Sequence, residues 1–211
     1  MVPMSHGTIA AFLERLASDS PTPGGGSVAA LTGALSAALG EMVVSLTQGR
    51  KKYAQVAAAL AARGQSLERL RRSLTAAIDD DAAAYERLIA ARKLPKETPE
   101  QSAFRAAAIQ SAGWQAAEVP LIVARQLVEV LEQFPAIATD GNINAVSDAG
   151  VGASLGQAAL LSAILNVRIN LGCLQDGART AAIMGELESL ERHGHTLAEE
   201  TAKIVAARLS G

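Results

Sequence analysis

Aromatic residues are nearly missing from this sequence, at 3% of 211 residues, although 49% of it is hydrophobic. The apolar volume is therefore mostly Ala, Leu, Val and Ile, a mixture that favours helices packed at close range. Cysteine occurs once, as Cys173. That excludes an intrachain disulfide and makes a reducing, cytoplasmic setting the expectation. Histidine is confined to His6, His193 and His195, near the ends of the chain. With one Cys they offer no metal-ligand spacing, so no metal is expected. Charge is scarce too, at 19%, and nearly balanced at a net −2, which argues against nucleic acid as a partner. The first ten residues carry no basic stretch followed by an apolar run, so no signal peptide is expected. No segment alternates apolar and polar residues for long enough to read as a strand. Neither a linker nor a repeat divides the chain, and a single domain over residues 1–211 is the expectation.

Long uncharged runs are what the sequence does have. Gly24 to Leu46 contains one charge, Glu41, and Ala149 to Leu165 contains none. The first is long enough to cross a bilayer. Yet Ser27, Thr32, Ser36 and Ser45 interrupt it, Ser154, Gln157 and Ser162 interrupt the second, and no aromatic belt flanks either. Both are read as buried central helices, with no membrane partner. Few charges and a mean hydropathy of +0.20 leave more apolar surface than one small bundle hides, which predicts a homo-oligomer.

The spacing predicts an all-α bundle of about six helices, some long. Thr8 caps a short first helix, and the loop from Ser18 to Gly26 leads into a second from about Ser27 to Gln48. A third spans roughly Gln55 to Ala91. Thr98, Pro99 and Gln101 form a capping-box start for a fourth, which runs to about Phe134 and is expected to kink at Pro120. Phe134 to Ile143 reads as a loop. A fifth helix runs from Asn144 or Ser147 to Leu174, and a sixth from Ala178 to Leu209.

Several clusters on this frame could carry chemistry. Gly24, Gly25, Gly26 and Ser27 open a helix, where free backbone N–H groups favour an electron-rich ligand; close helix packing explains the glycines equally well. Asp79, Asp80 and Asp81 point in three directions on one helix. Asp81 is expected to face inward, sharing a face with Tyr85, and a carboxyl buried among apolar residues can move protons near neutral pH. Lys93 and Lys96 on one loop suit an anionic tail, as does Lys52 after the second helix, although solvated lysines are the ordinary reading. Asn142, Asn144, Ser147 and Asp148 crowd the start of an apolar helix. Asn166 and Asn170 extend a polar stripe along it, which is buried with partners or lines a site. Arg168, on another face, needs a counter-charge if buried.

These runs are also recognisable as a series. Pro21–Ala30 (PTPGGGSVAA), Arg50–Tyr53 (RKKY), Asp79–Tyr85 (DDDAAAY) and Lys93–Lys96 (KLPK) are followed by Val119–Leu121 (VPL), Gly141–Val151 (GNINAVSDAGV) and Asn166–Leu171 (NVRINL). Seven runs in this order resemble the cyclodeaminase/cyclohydrolase domain of the formiminotransferase-cyclodeaminase family, in a stand-alone form, over about Thr8 to Gln175. Asp80 stands where that family more often has Glu, and Tyr85 where it often has Phe.

The resemblance implies a homodimeric helical enzyme whose substrate is a tetrahydrofolate derivative. The first reading is a cyclodeaminase, a lyase converting 5-formimino-tetrahydrofolate to 5,10-methenyl-tetrahydrofolate and ammonia. The alternative is a methenyl-tetrahydrofolate cyclohydrolase, forming 10-formyl-tetrahydrofolate. A non-catalytic folate-binding or scaffold protein is the third. Ring closure and hydrolysis both need a carboxylate that shuttles a proton at an amidine carbon. The expected catalytic pair is Asp148 as acid/base and Asp81 as partner. Asn142 and Asn144 are expected on the pterin, with Asn166 and Arg168 also binding substrate. Gly24 to Ser27 are placed at the pocket floor, and Lys93, Lys96 and Lys52 at the glutamate tail.

Overall fold

The computed structural model describes residues 3–210. Seven α-helices lie among them: α1 (Ile9–Leu16), α2 (Gly25–Thr47), α3 (Ala57–Arg92), α4 (Pro99–Leu131), α5 (Phe134–Asp140), α6 (Val146–Leu171) and α7 (Gly177–Ser210). No strand occurs among the described residues. The six expected helices are present, and α5 is an addition. It occupies the stretch read as loop, because seven residues with Pro135 near the start are too short to display a helical period. The fourth helix runs on through Pro120, whose ring is buried within it.

α2 and α6 form the centre, as their lack of charge requires, and they are also the two helices long and apolar enough to span a bilayer. They run antiparallel: Gly25 lies against Asn166, while the Ser36 hydroxyl donates to the Gly152 carbonyl at 2.7 Å. Small residues make this approach possible. A Cβ at Gly152 would stand 2.5 Å from the Phe134 ring, and one at Gly40 would stand 2.6 Å from Leu67. Phe134, fully buried, fills the space those glycines leave; emptying such a site costs about 3–5 kcal/mol. Leu60, Leu67 and Leu74 of α3, Leu127 and Leu131 of α4, and Leu160 and Ile164 of α6 complete one core.

Glu41, the lone charge of the α2 run, meets Arg71 of α3 in a two-pronged pair at 2.6 and 3.1 Å. Arg125 of α4 grips Glu186 of α7 in the same way, at 2.6 and 2.9 Å. Both pairs are partly solvated, so they fix the register of neighbouring helices more than they add stability.

Candidate active site

The N-terminus of α2 closes one end of a trench of about 350 Å³. α3 supplies one wall with Asp81, Tyr85, Leu88 and Arg92, whose spacing of four, three and four puts them on one helix stripe. α4 supplies Ile109, Gly113 and Ala116, while α6 supplies Asn166, Ile169 and Asn170, with Cys173 and Leu174 just beyond its end. The Pro21–Gly24 turn that closes the end is tied to α1. The Arg15 guanidinium donates to the Thr22 carbonyl at 2.8 Å and to its hydroxyl at 3.3 Å.

The three consecutive aspartates separate as a helix demands. Asp79 accepts the backbone N–H groups of Met4 at 2.7 Å and Ser5 at 3.3 Å, and so holds the N-terminal segment down. Asp80 is exposed. Asp81 faces the trench, pressed against the backbone of Gly26, where a Cβ would lie 2.1 Å from its Oδ1. Burial pushes the Asp81 carboxyl above the ordinary carboxylate range, and hydrogen bonds from the Ser27 side chain and backbone hold it partly back.

Ser27 is completely buried, so its hydroxyl reaches Asp81 and not the trench. Its Oγ lies 3.0 Å from Asp81 Oδ2 and 2.9 Å from the Ile78 carbonyl. A hydroxyl has one proton and two lone pairs. It can donate to an ionised Asp81. When Asp81 is protonated, the hydroxyl can accept from it and donate to Ile78 instead. Both protonation states of the carboxyl are therefore accommodated without moving a heavy atom, which suits a proton shuttle.

The asparagines on α6 are held by their amide nitrogens. Asn166 Nδ2 donates to the Ser162 carbonyl at 2.8 Å, and Asn170 Nδ2 donates to Ala116 of α4 at 2.7 Å. Each keeps lone pairs on its oxygen for a donor in the trench.

Of the residues singled out from sequence, the trench brings together Gly24, Gly25, Gly26, Asp81 and Asn166, with Ser27 immediately behind Asp81. It does not include Asp148, the residue expected from sequence as the acid/base. Asp148 sits in the first turn of α6, half-buried, eighteen residues before Asn166 and so about 27 Å away along the helix. Asn142 is also outside. Its N–H donates to Thr47 Oγ1 at 2.8 Å, its Nδ2 donates to the Leu46 carbonyl at 3.0 Å, and its Oδ1 accepts from Asn144 at 3.1 Å. It latches the turn before α6 to the end of α2, which accounts for its burial, and Asn144 beside it is exposed. Arg168 pairs with Glu191 of α7 at 3.1 Å. Lys52 lies over the ring of its neighbour Tyr53, beyond the far end of α2, and Lys93 and Lys96 are exposed outside the trench.

Sequence reasoning missed Arg92, the cation that does line the trench. Its signal was the stripe Asp81, Tyr85, Leu88, Arg92, in which an acid and a base close the two ends of one helix face.

The formiminotransferase-cyclodeaminase family profile matches residues 8–189. The methenyltetrahydrofolate cyclohydrolase of Methylorubrum extorquens is 43% identical over 96% of this chain and 98% of its own. The formimidoyltransferase-cyclodeaminase of Sus scrofa is 35% identical over 92% of this chain but only 36% of its own length. Among solved structures, the formiminotetrahydrofolate cyclodeaminase of Thermotoga maritima superposes with a TM-score of 0.86 at 28% identity, covering 96% of this chain and 97% of that one.

Proposed function

This chain belongs to the formiminotransferase-cyclodeaminase family, and from that premise we propose that it is an enzyme acting on the one-carbon unit held between N5 and N10 of tetrahydrofolate. The observation that carries the proposal is the Asp81 carboxyl. It is half-buried in a trench, has a proton affinity raised by that burial, and is backed by a hydroxyl that serves either protonation state.

Hydrolysis of the 5,10-methenyl bridge is the reaction we assign. Its support is the cyclohydrolase relative, 43% identical and matched along its whole length. Sequence reasoning placed ring closure with loss of ammonia first. That remains the second reading, supported by the Thermotoga cyclodeaminase and the animal relatives. One set of groups serves both. In hydrolysis, Asp81 takes one proton as water adds to the amidinium carbon and returns it to N5 as the C–N5 bond breaks, while the remaining hydroxyl proton leaves to solvent as the carbinol oxygen becomes the formyl carbonyl. In ring closure, it takes the N10 proton as N10 adds, and returns it to the departing ammonia. Asn166 and Asn170 accept from pterin N–H donors, and the N-terminus of α2 faces the electron-rich rim of the ring. No step calls for a metal.

A paired assay at the near-ultraviolet band of the methenyl chromophore tests the assignment. The band is expected to fall when the methenyl substrate is supplied. A rise from the formimino substrate alone transfers the assignment to the cyclodeaminase. A flat trace with both removes the enzyme reading and leaves a folate-binding protein.

The proposal includes a homodimer. α6 presents an uncharged outer stripe in which Val151, Leu165 and Ile169 are 51%, 63% and 74% exposed. α2 exposes Leu35, Met42 and Leu46 on its own outer face. Two copies of α6 crossing antiparallel about an axis near Ala158 would set each Val151 against a Leu165. The same pairing would carry each Asp148 toward the other copy's trench, the one route by which that residue reaches the chemistry. Light scattering at micromolar concentration is expected to give twice the 21.7 kDa chain mass. A monomer would end this part of the proposal.

A further inference from the structure

The geometry points to Arg92 as the residue that binds the glutamate carboxylate of the substrate, and so to a fixed direction of the folate along the trench, an assignment that rests on the folate reading above. The trench has a chemical polarity. At one end are Asp81, Asn166 and the glycine backbone of the α2 N-terminus. Its middle is apolar, with Leu88 on one wall and Ile109 and Leu174 opposite. At the other end stands Arg92, the only cation that lines it among the described residues, at the last residue of α3. Asp81 and Arg92 are eleven residues apart on one helix stripe, about 16 Å along the axis. A tetrahydrofolate has the same order: a polar ring with the reacting carbon, an aryl spacer, then an anionic glutamate.

The Arg92 guanidinium is free to take a ligand. Arg71, Arg72, Arg125, Arg168 and Arg192 all form ion pairs with glutamates, whereas Arg92 forms none among the described residues. Its backbone is fixed by Arg105, which donates to the Arg92 carbonyl from Nε at 3.1 Å and Nη2 at 2.9 Å. An anchored backbone with an unpaired planar fork suits a carboxylate. Lys93 and Lys96, the cations expected there from sequence, project from the exposed loop beyond the trench and are not needed for the first carboxylate.

The test compares the chain with Arg92→Met and Arg92→Lys variants on 5,10-methenyl-tetrahydrofolate and on a tetrahydropteroate analogue that lacks glutamate and has its benzoate carboxyl capped as a neutral amide. For the folate, Arg92→Met is expected to raise KM roughly tenfold with kcat within about twofold, the size expected of one solvent-accessible charged contact. Arg92→Lys recovers part of that loss. For the pteroate, Arg92→Met and the unaltered chain should have the same KM. An equal rise for both substrates, or no rise for either, overturns the assignment. Equilibrium binding of tetrahydrofolate and the amide-capped tetrahydropteroate is measured in parallel. A chain that turns over neither substrate, yet binds the glutamate-bearing compound more tightly only while Arg92 is present, loses the proposed reaction and keeps the tail site.

Discussion

Replacing Asp81 by Asn is expected to lower kcat by about 10²–10⁴-fold while the protein stays folded. The amide keeps the shape of the carboxyl and an oxygen to accept from Ser27, which lies 3.0 Å away, but it cannot take up a proton. Stability provides the control, and its sign is the reverse of a salt-bridged aspartate. Asp81 has a folded-state pKa above the unfolded value of 3.8, chiefly through burial. The folded protein therefore holds that proton more tightly, a contribution fully present below pH 3.8 and lost as pH rises through the raised value. At neutral pH the ionised group is a burden, so the Asn variant should melt at the same temperature as the unaltered protein or higher, the gap closing in acid. The pH profile gives a second reading. A base works in its ionised form, so kcat/KM should fall on the acid side through the Asp81 titration. Ser27→Ala deletes a hydrogen bond that lowers that pKa, which moves the acid limb to higher pH with the plateau retained. Undiminished turnover in Asp81→Asn would remove the carboxyl from the mechanism.

How much of this was legible beforehand depended on the range of the interaction. The start of α4 is a local matter, and the reciprocal bonds of Thr98 and Gln101, at 3.2 and 3.3 Å, are the ones the sequence implied. The inward turn of Asp81 was equally local, since Leu74 and Ile78 mark the buried side of the same helix. The role of Asp79 was not, because its partners at Met4 and Ser5 lie 75 and 74 residues away. The Asn142 to Asp148 run lies outside this chain's trench for a related reason. Asn142 uses its polar groups on the end of α2, 96 residues earlier in one case, so its density of polar atoms marks a junction and not the trench. Arg92 was passed over because a terminal arginine on a helix is ordinarily solvated. Only the neighbouring α4 and α6 convert its face into the wall of a cavity. Composition conveyed the class of fold, then, and the site emerged where four helices from distant parts of the chain meet.

Gly26→Ala is expected to disable the enzyme as thoroughly as removing Asp81, although it deletes nothing. A Cβ at this position would stand 2.1 Å from Asp81 Oδ1, 2.5 Å from Cγ and 2.8 Å from Oδ2. All three fall within van der Waals contact, and an aspartate is too short to escape by a small torsion. Either its carboxyl swings away, losing the Ser27 bond, or the first turn of α2 lifts off α3. Turnover should drop by at least roughly 100-fold, as a displacement of about 1 Å at a reacting group allows, and overpacking should cost about 1–3 kcal/mol in stability. Gly185→Ala is the contrast: it lies on the exposed face of α7 with nothing within 4 Å, so it should leave both quantities nearly unchanged or add slightly to stability. A double-mutant cycle identifies the cause. In an Asp81→Ala background the obstructing atoms are gone, and Gly26→Ala should then cost little stability. If its cost is the same in both backgrounds, the glycine is required by the α2 backbone and not by the carboxyl that rests on it.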